Sequence, residues 1–368
     1  MPRKKLHKLY AVDIFSGAGG LTTGLKAGGF HVVAGVELED HAVATFKVNH
    51  PEVHTFKQDA TTVSGHDLLA QSPNGRIDLL AGCPPCQGFT SLTSKYRRED
   101  KRNQLVREMA RLAEEVKPAV IMMENVPGLA RKGSVLFDEF LARIKRAGYI
   151  PTFDVLQVAD YGVPQSRRRL VVLAGLDFKI DIPPATHSRT GEGGIPKWRT
   201  VESVLKGLPT PITLTEAKHK DGCMAVNWHV VRTLAPQNQK RLRHAKPGQP
   251  WASIPKRLRP ECHQDKNAGF SNVYGRMRWD NVSPTITAGC TTLSKGRFGH
   301  PEEQRTISVY EAALLQTFPE DYIFACDYME YVCSMIGNAL PCHFAAILAK
   351  HCNNAINNNA KGGKHLLH

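Results

Sequence analysis

The chain has 368 residues, 42% of them hydrophobic and 22% charged, and a net charge of +14. That length supports a sizeable core and, as a prior, two domains. Apolar runs such as "PAVIMM" are too short to cross a bilayer, the basic start "MPRKKLHKLYAVDIF" lacks a signal-peptide core, and nine scattered cysteines do not suggest a disulfide framework.

The first half alternates strand-like and helix-like segments. "LYAVDIF" reads as a buried strand ended by "SGAGG", and "GLTTGLKAGG" as the helix that follows. "HVVAGVE", "VHTFKQD", "RIDLLAG" and "PAVIMMEN" are further strands, alternating with helical patterns in "EDHAVATFKVNH", "NQLVREMARLAEEVK" and "SVLFDEFLARIKRAG". "TFDVLQVAD" and "RRLVVLAGL" close the series. This alternation predicts an α/β fold with a doubly wound, mostly parallel sheet of Rossmann-like type.

From about Ile182 the texture changes to Pro, Gly, Thr and basic residues, which predicts a second, smaller, loop-rich domain. Residues 186–304 hold 19 Lys and Arg against 9 Asp and Glu. Charge alone fits either a solvated surface or a nucleic-acid footprint. Helical patterning returns in "VYEAALLQTF" and "YMEYVCSMIGNALPCHFAAILAKHC", and the last residues are polar. The expected division is residues 1–185 plus about 335–356 as a discontinuous catalytic and cofactor domain, about 186–304 as a recognition domain, 305–334 as a connection and 357–368 as a flexible tail.

"DIFSGAGG" ends a strand and opens a helix. Gly17, Gly19 and Gly20 suit a tight turn with close backbone approach to a ligand, but position 22 is Thr, so the dinucleotide spacing G-x-G-x-x-G is incomplete. Glu37 ends the second strand, where a carboxylate can accept from ribose hydroxyls, and Asp59 ends the next extended piece, where it can meet an adenine amino group. An adenosine ligand without a diphosphate fits, with S-adenosylmethionine as the candidate; a nicotinamide oxidoreductase is disfavoured by the incomplete fingerprint.

At the same rim, "LLAGCPPCQGFT" carries Cys83 and Cys86. A zinc site needs a second close ligand pair, which neither "ECH" at 261–263 nor Cys326 and Cys333 provides, and no metal is expected. A thioredoxin-type pair would open a helix, whereas a Gln-Gly loop follows here. Catalysis by one cysteine remains, with Arg167 and Arg169 as cations that can favour a thiolate and Glu124 as a further rim carboxyl.

Together "DIFSGAGG", "PPCQGF", "ENV", "QSRRR", "RTISVYEAALLQTFPEDY" and "GNALP" resemble the DNA cytosine-5 methyltransferases, in that family's order and rough spacing, and the size and layout resemble bacterial restriction–modification enzymes. The resemblance implies EC 2.1.1.37 chemistry. Cys86 adds to carbon 6 of cytosine, Glu124 holds or protonates N3, and Arg167 and Arg169, with Gln165 beside them, steady the base and thiolate. It also implies that Phe15, Gly17, Ala18, Gly19, Gly20, Leu21, Glu37, Leu38, Asp59, Ala60, Pro85 and Asn338 line S-adenosylmethionine.

The target base lies inside a duplex, so the resemblance implies base flipping, with residues 88–104 similar to the family's loop that closes over the base. Candidate DNA contacts are Gln87, Ser91, Lys95, Arg97, Arg241, Arg243, Lys256, Arg257, Arg276 and Arg278, the last two equally readable as ion-pair partners within the lobe. Cys83 reads as a small buried residue. The expected partners are double-stranded DNA and a cognate restriction endonuclease, in a cytoplasmic monomer. A tRNA methyltransferase of the same fold and a non-catalytic DNA-binding relative are the alternatives.

Overall fold

The computed structural model describes residues 8–85, 104–264 and 272–362. Its chain forms two compact units. The first contains the described residues up to Gln157, then Arg168–Ala185, and the chain from Cys342 onward.

In that unit the strands are β1 (Tyr10–Ile14), β2 (His31–Glu37), β3 (His54–Lys57), β4 (Leu79–Gly82), β5 (Val120–Asn125), β6 (Tyr149–Gln157) and β7 (Arg168–Leu176). Between them lie α1 (Gly20–Ala27), α2 (Asp40–Asn49), α3 (Gly65–Leu69), α4 (Leu105–Val116) and α5 (Ser134–Arg146). The strands form one sheet in the order β3-β2-β1-β4-β5-β7-β6. Central strands β4 and β5 are buried along their whole length, as expected of a sheet covered on both faces. The chain leaves β1 for β2 on one side and later returns to place β4 on the other. That reversal opens a crevice at the carboxyl ends of β1 and β4, where such folds bind ligands.

The expected α/β class is therefore present, with one strand of opposite sense. β7 runs antiparallel to both β5 and β6. The link from β6 to β7 is only Val158–Arg167, without the crossover helix that a parallel pair requires. Helix α3 was not legible as a period; it is a single turn started by a Ser64–Asp67 capping box. On α4, Val106, Met109, Ala110, Leu112, Ala113 and Val116 face the core, while Arg107 and Glu114 on the outer face pair with Glu139 and Arg143 of α5.

The second unit comprises Val158–Arg167 and Thr186–Pro341. It holds α6 (Glu202–Leu205), β8 (Ile212–Thr213), α7 (Leu214–Lys218), β9 (Val230–Val231), α8 (Pro236–His244), α9 (Val309–Leu315) and α10 (Met329–Asn338), joined by long irregular segments. With so little regular structure, side chains take over the backbone's hydrogen-bonding needs. The Trp228 indole donates to the Phe324 carbonyl at 3.1 Å, and buried Arg305 pairs with Glu311 at 2.7 Å. A small core of Leu242, Ala245, Ile254 and Leu293 is flanked by Trp251, on which His263 stacks at 4.7 Å and Arg259 lies at 5.1 Å.

The last helix, α11 (Cys342–Gly362), returns to the first unit and packs along α1. The observed boundaries differ from the expected ones. Residues 335–341 and 158–167 belong to the second unit, and the segment expected to be a frayed tail stays helical through Gly362. The stretch Met329–Lys361 is long and apolar enough to cross a bilayer by length and composition alone. It is two helices separated by Ala339–Pro341, and 67% of its most apolar window is buried inside the protein.

Small residues four apart set the α1–α11 contact. A Cβ on Gly24 would stand 2.3 Å from the Ala345 Cβ, and one on Gly28 would stand 2.4 Å from the Ala349 Cβ. Backbone of α11 also stands within clash distance, with Ala346 N and Cys342 O each 2.8 Å from the Cβ added at Gly24, so no side-chain rotation relieves the clash. We expect Gly24→Val to cost about 2–3 kcal/mol by overpacking, read as a lower denaturation midpoint with unchanged slope in urea.

Candidate active site

Strand register assembles the first cluster. β4 and β5 pair in parallel with Gly82 opposite Met123, so one further step sets Cys83 beside Glu124. On the other side of β5, Glu124 pairs with Val171 of β7, and Arg169 lies two residues along on the same face. The Arg169 Nε donates to the Glu124 Oε1 at 2.6 Å, with both side chains almost fully buried. Burial draws the Arg169 guanidinium below its ordinary value and Glu124 opposes that, so each group makes the other tolerable in the interior.

Asn125, next in the strand, donates from Nδ2 to the Pro84 carbonyl at 3.0 Å and accepts from the Val126 N–H at 2.8 Å. The "ENV" segment thereby pins the chain two residues before Cys86. Cys86, Gln87, Ser91, Lys95 and Arg97, together with residues 88–103 of the expected closing loop, lie outside the described residues.

The glycine turn is held from the neighbouring strand. Glu37 accepts through Oε2 from the Gly17 N–H at 2.8 Å, and through Oε1 from the Leu38 and Glu39 N–H groups at 2.8 and 2.9 Å. Phe15 adopts φ +65°, a left-handed conformation costly for a bulky residue and often found at ligand sites, and Gly17 and Gly19 also have positive φ. No atom lies within 4 Å of a Cβ built on Gly17, so that side of the turn is open.

Leu38 is 54% exposed beside Glu37, and the exposed Asp59 is oriented by the Thr61 N–H and hydroxyl at 2.9 and 2.8 Å. Two carboxylates for hydroxyl and amino donors, with Phe15 and Leu38 as apolar surface, suit an adenosine group. Ala18, Gly20, Leu21 and Ala60 are buried around the turn and support its shape, while Pro85 is half-buried.

Asp13 was not singled out from sequence, although an acid inside an apolar strand is itself a signal. Its Oδ2 accepts from the Thr22 hydroxyl of α1 at 2.7 Å, and its Oδ1 has no partner among the described residues. Burial pushes its carboxyl up to about 7, with the hydrogen bonds from Thr22 opposing the rise and Glu37 adding to it.

Several of the expected residues lie in the second unit. Arg167 is buried there and donates to the carbonyls of Ile286, Gly337 and Ala339 at 2.9, 3.1 and 3.2 Å. Gln165, fully buried, donates to Gln316 Oε1 at 2.7 Å and accepts from the Ile286 N–H at 2.9 Å. Both tie segments of the second unit together through these bonds. Asn338 is exposed at the end of α10 and donates to Ser334 at 3.2 Å.

Arg276 is likewise no groove reader: it is buried and donates to the carbonyls of Leu242, His300 and Glu303. Arg278 pairs with Asp280, as the alternative reading allowed, and Arg241 donates to Leu258 O and Asn238 while lying over Tyr274. Arg243, Lys256 and Arg257 are exposed and form no ion pair among the described residues.

A glycine turn fastened by Glu37, with the Glu124 carboxyl on a neighbouring strand end, occupies the rim where Rossmann-like sheets bind ligands. Residues 9–354 match the family of C-5 cytosine-specific DNA methylases. The chain is 38% identical to the Type II methylase M.HgiDII of Herpetosiphon aurantiacus, over 92% of this chain and 93% of that protein. It is 30% identical to the Type II methyltransferase M1.HphI of Haemophilus parahaemolyticus, over 92% and 85% respectively. Its fold is similar to that of the S. pombe Dnmt2 methyltransferase, with a TM-score of 0.64 at 18% identity, covering 95% of this chain and 100% of that one. This protein belongs to the C-5 cytosine-specific DNA methylase family.

Asp13 makes stability depend on pH. Its carboxyl holds a proton in the folded state up to about pH 7 but loses it near 3.8 when unfolded, so stability falls as pH rises through that window. We expect Asp13→Asn to remove a slope of up to about 1.4 kcal/mol per pH unit, measured by urea unfolding between pH 5 and 8. The variant gains on the wild type as pH rises to 7, and the gain levels off above.

Proposed function

We propose that this DNA cytosine methylase modifies carbon 5 of a cytosine flipped out of a specific duplex sequence, with S-adenosylmethionine as methyl donor and Cys86 as nucleophile. The observation that carries the reading is the buried Glu124–Arg169 pair, set by strand register beside the strand end from which the Pro-Cys-Gln segment departs.

In this reading the Cys86 sulfur forms a bond to carbon 6 of the ring. The electron pair displaced from the carbon 5–carbon 6 double bond moves into the ring, and Glu124 meets it by hydrogen bonding or proton donation at N3. Arg169 holds the Glu124 carboxyl in place so that it faces the base rather than solvent. S-adenosylmethionine, when bound, supplies an electrophilic methyl group on a sulfonium. Loss of the carbon 5 proton and expulsion of the Cys86 thiolate then restore the aromatic ring. Glu37 and Asp59 would receive the donor's hydroxyl and amino groups, and Phe15 and Leu38 would border its ring.

The recognition surface belongs to the second unit in this reading. With Arg276, Arg241 and Arg278 committed within that unit, Arg243, Lys256 and Arg257 are the candidates left to meet phosphates. The protein is further read as a cytoplasmic monomer paired with a restriction endonuclease of the same specificity.

Two measurements test these roles. Cys86→Ser should lower methyl incorporation into duplex DNA by at least about 1,000-fold while leaving cofactor affinity within twofold; retained turnover contradicts the nucleophile. The double change Lys256→Ala and Arg257→Ala should reduce the slope of log binding against log salt by about 1–2, equally on cognate and non-cognate duplexes.

A further inference from the structure

Cys83 has no task in the chemistry above, yet it occupies the position facing Glu124 from β4. Asp13 pairs with Ala81 across β1 and β4, so Asp13, Ala81 and Cys83 share one sheet face. Met122 and Glu124 lie on the same face of β5, and the ladder from Gly82–Met123 places Cys83 and Glu124 side by side. The Cys83 N–H donates to the Ile14 carbonyl at 3.4 Å, which continues the β4 side of the sheet one residue beyond its last ladder pair. Glu124 is therefore flanked on both neighbouring strands: by the Arg169 guanidinium on β7 and by the Cys83 thiol at the end of β4.

The ladder sets the Cys83 side chain beside the Glu124 carboxyl, whose charge acts on the thiol. Burial, with Glu124 and Asp13 close by, pushes the Cys83 thiol well above the ordinary cysteine range, so it remains S–H. A protonated thiol is a weak, uncharged donor. It can steady a carboxyl without adding a second positive charge beside Arg169. Cys83 is also too poor a thiolate to compete with Cys86 as nucleophile.

We propose that Cys83 is a positioning residue for Glu124, its S–H and the Arg169 Nε gripping the carboxyl from opposite strands so that its remaining edge is directed at ring N3 of the target cytosine. This inference rests on the reading that Glu124 acts at N3, and deepens it by naming what orients the carboxyl. The simpler role, space filling, makes different predictions.

The test compares Cys83→Ala with Cys83→Ser. The alanine variant should lower kcat for duplex DNA about 5- to 20-fold, with KM for DNA and for S-adenosylmethionine within twofold. Its kcat should also depend on pH differently from wild type, because the contacts that hold the carboxyl against the base have changed. Serine, which restores a donor, should recover kcat to within threefold of wild type and return the profile. An alanine variant with wild-type kcat and pH profile, or a serine variant no better than alanine, overturns the proposal.

A second readout does not depend on turnover. The Cys83 S–H stretch, isolated by infrared difference between wild type and Cys83→Ala, should lie at the low frequency of a hydrogen-bonded thiol and rise in Glu124→Ala. A free-thiol frequency in the wild type overturns the contact. A hydrogen-bonded thiol in a protein that transfers no methyl group would instead refute the functional reading.

Discussion

The ion pair between Arg169 and Glu124 is the interaction on which the site depends. Neither charge could be buried alone: removing one partner of such a pair leaves an uncompensated charge in a medium that solvates it poorly. The pair can form because β7 runs against β5. An antiparallel ladder places Glu124 opposite Val171, and the period-two pleat then carries Arg169 onto the same face at a distance its long side chain can span. The sheet's single departure from parallel order thus supplies the arginine to the carboxyl.

The same logic of shared strain and support runs through the cofactor end. Phe15 holds a backbone conformation that a bulky side chain avoids, and the turn it begins is fastened by a carboxylate from the next strand. Glu37 is well placed for this because its own strand end supplies two further N–H donors, which fix its rotamer. Packing of α11 on α1 secures the helix that the turn opens, and α1 in turn donates Thr22 to Asp13 inside the sheet. Residues far apart in sequence therefore converge on one rim through elements that constrain each other.

Much of this was legible in the residues. Buried strands of a covered sheet read as unbroken apolar runs, and helices such as α4 announce themselves by period, so the α/β class followed directly. Glu37 and the glycine turn were found because an acid at a strand end and a positive-φ turn are local features. The carbonyl contacts of Arg167 and Arg276 were not legible, since an arginine that faces a ligand and one that clamps buried carbonyls are the same letter. In a unit poor in regular structure, carbonyls left without a backbone donor recruit guanidinium groups, as those facing Arg167 and Arg276 do. Net positive charge in residues 186–304 consequently overstates the number of cations free to meet phosphate. Asp13 escaped notice, and Cys83 was read only as a small buried residue, because what surrounds each is set by strand register rather than by the motif that contains it.

The central claim is that this rim delivers one particular thiol to a cytosine. A duplex library bearing 5-fluorocytosine, incubated with the enzyme and S-adenosylmethionine, retains the covalent complex because fluorine at carbon 5 cannot leave as a proton does. Peptide mapping of the trapped complex should find the nucleotide attached to Cys86 and to no other cysteine. Attachment at Cys83, or the absence of any adduct in a preparation that methylates ordinary DNA, would contradict the account.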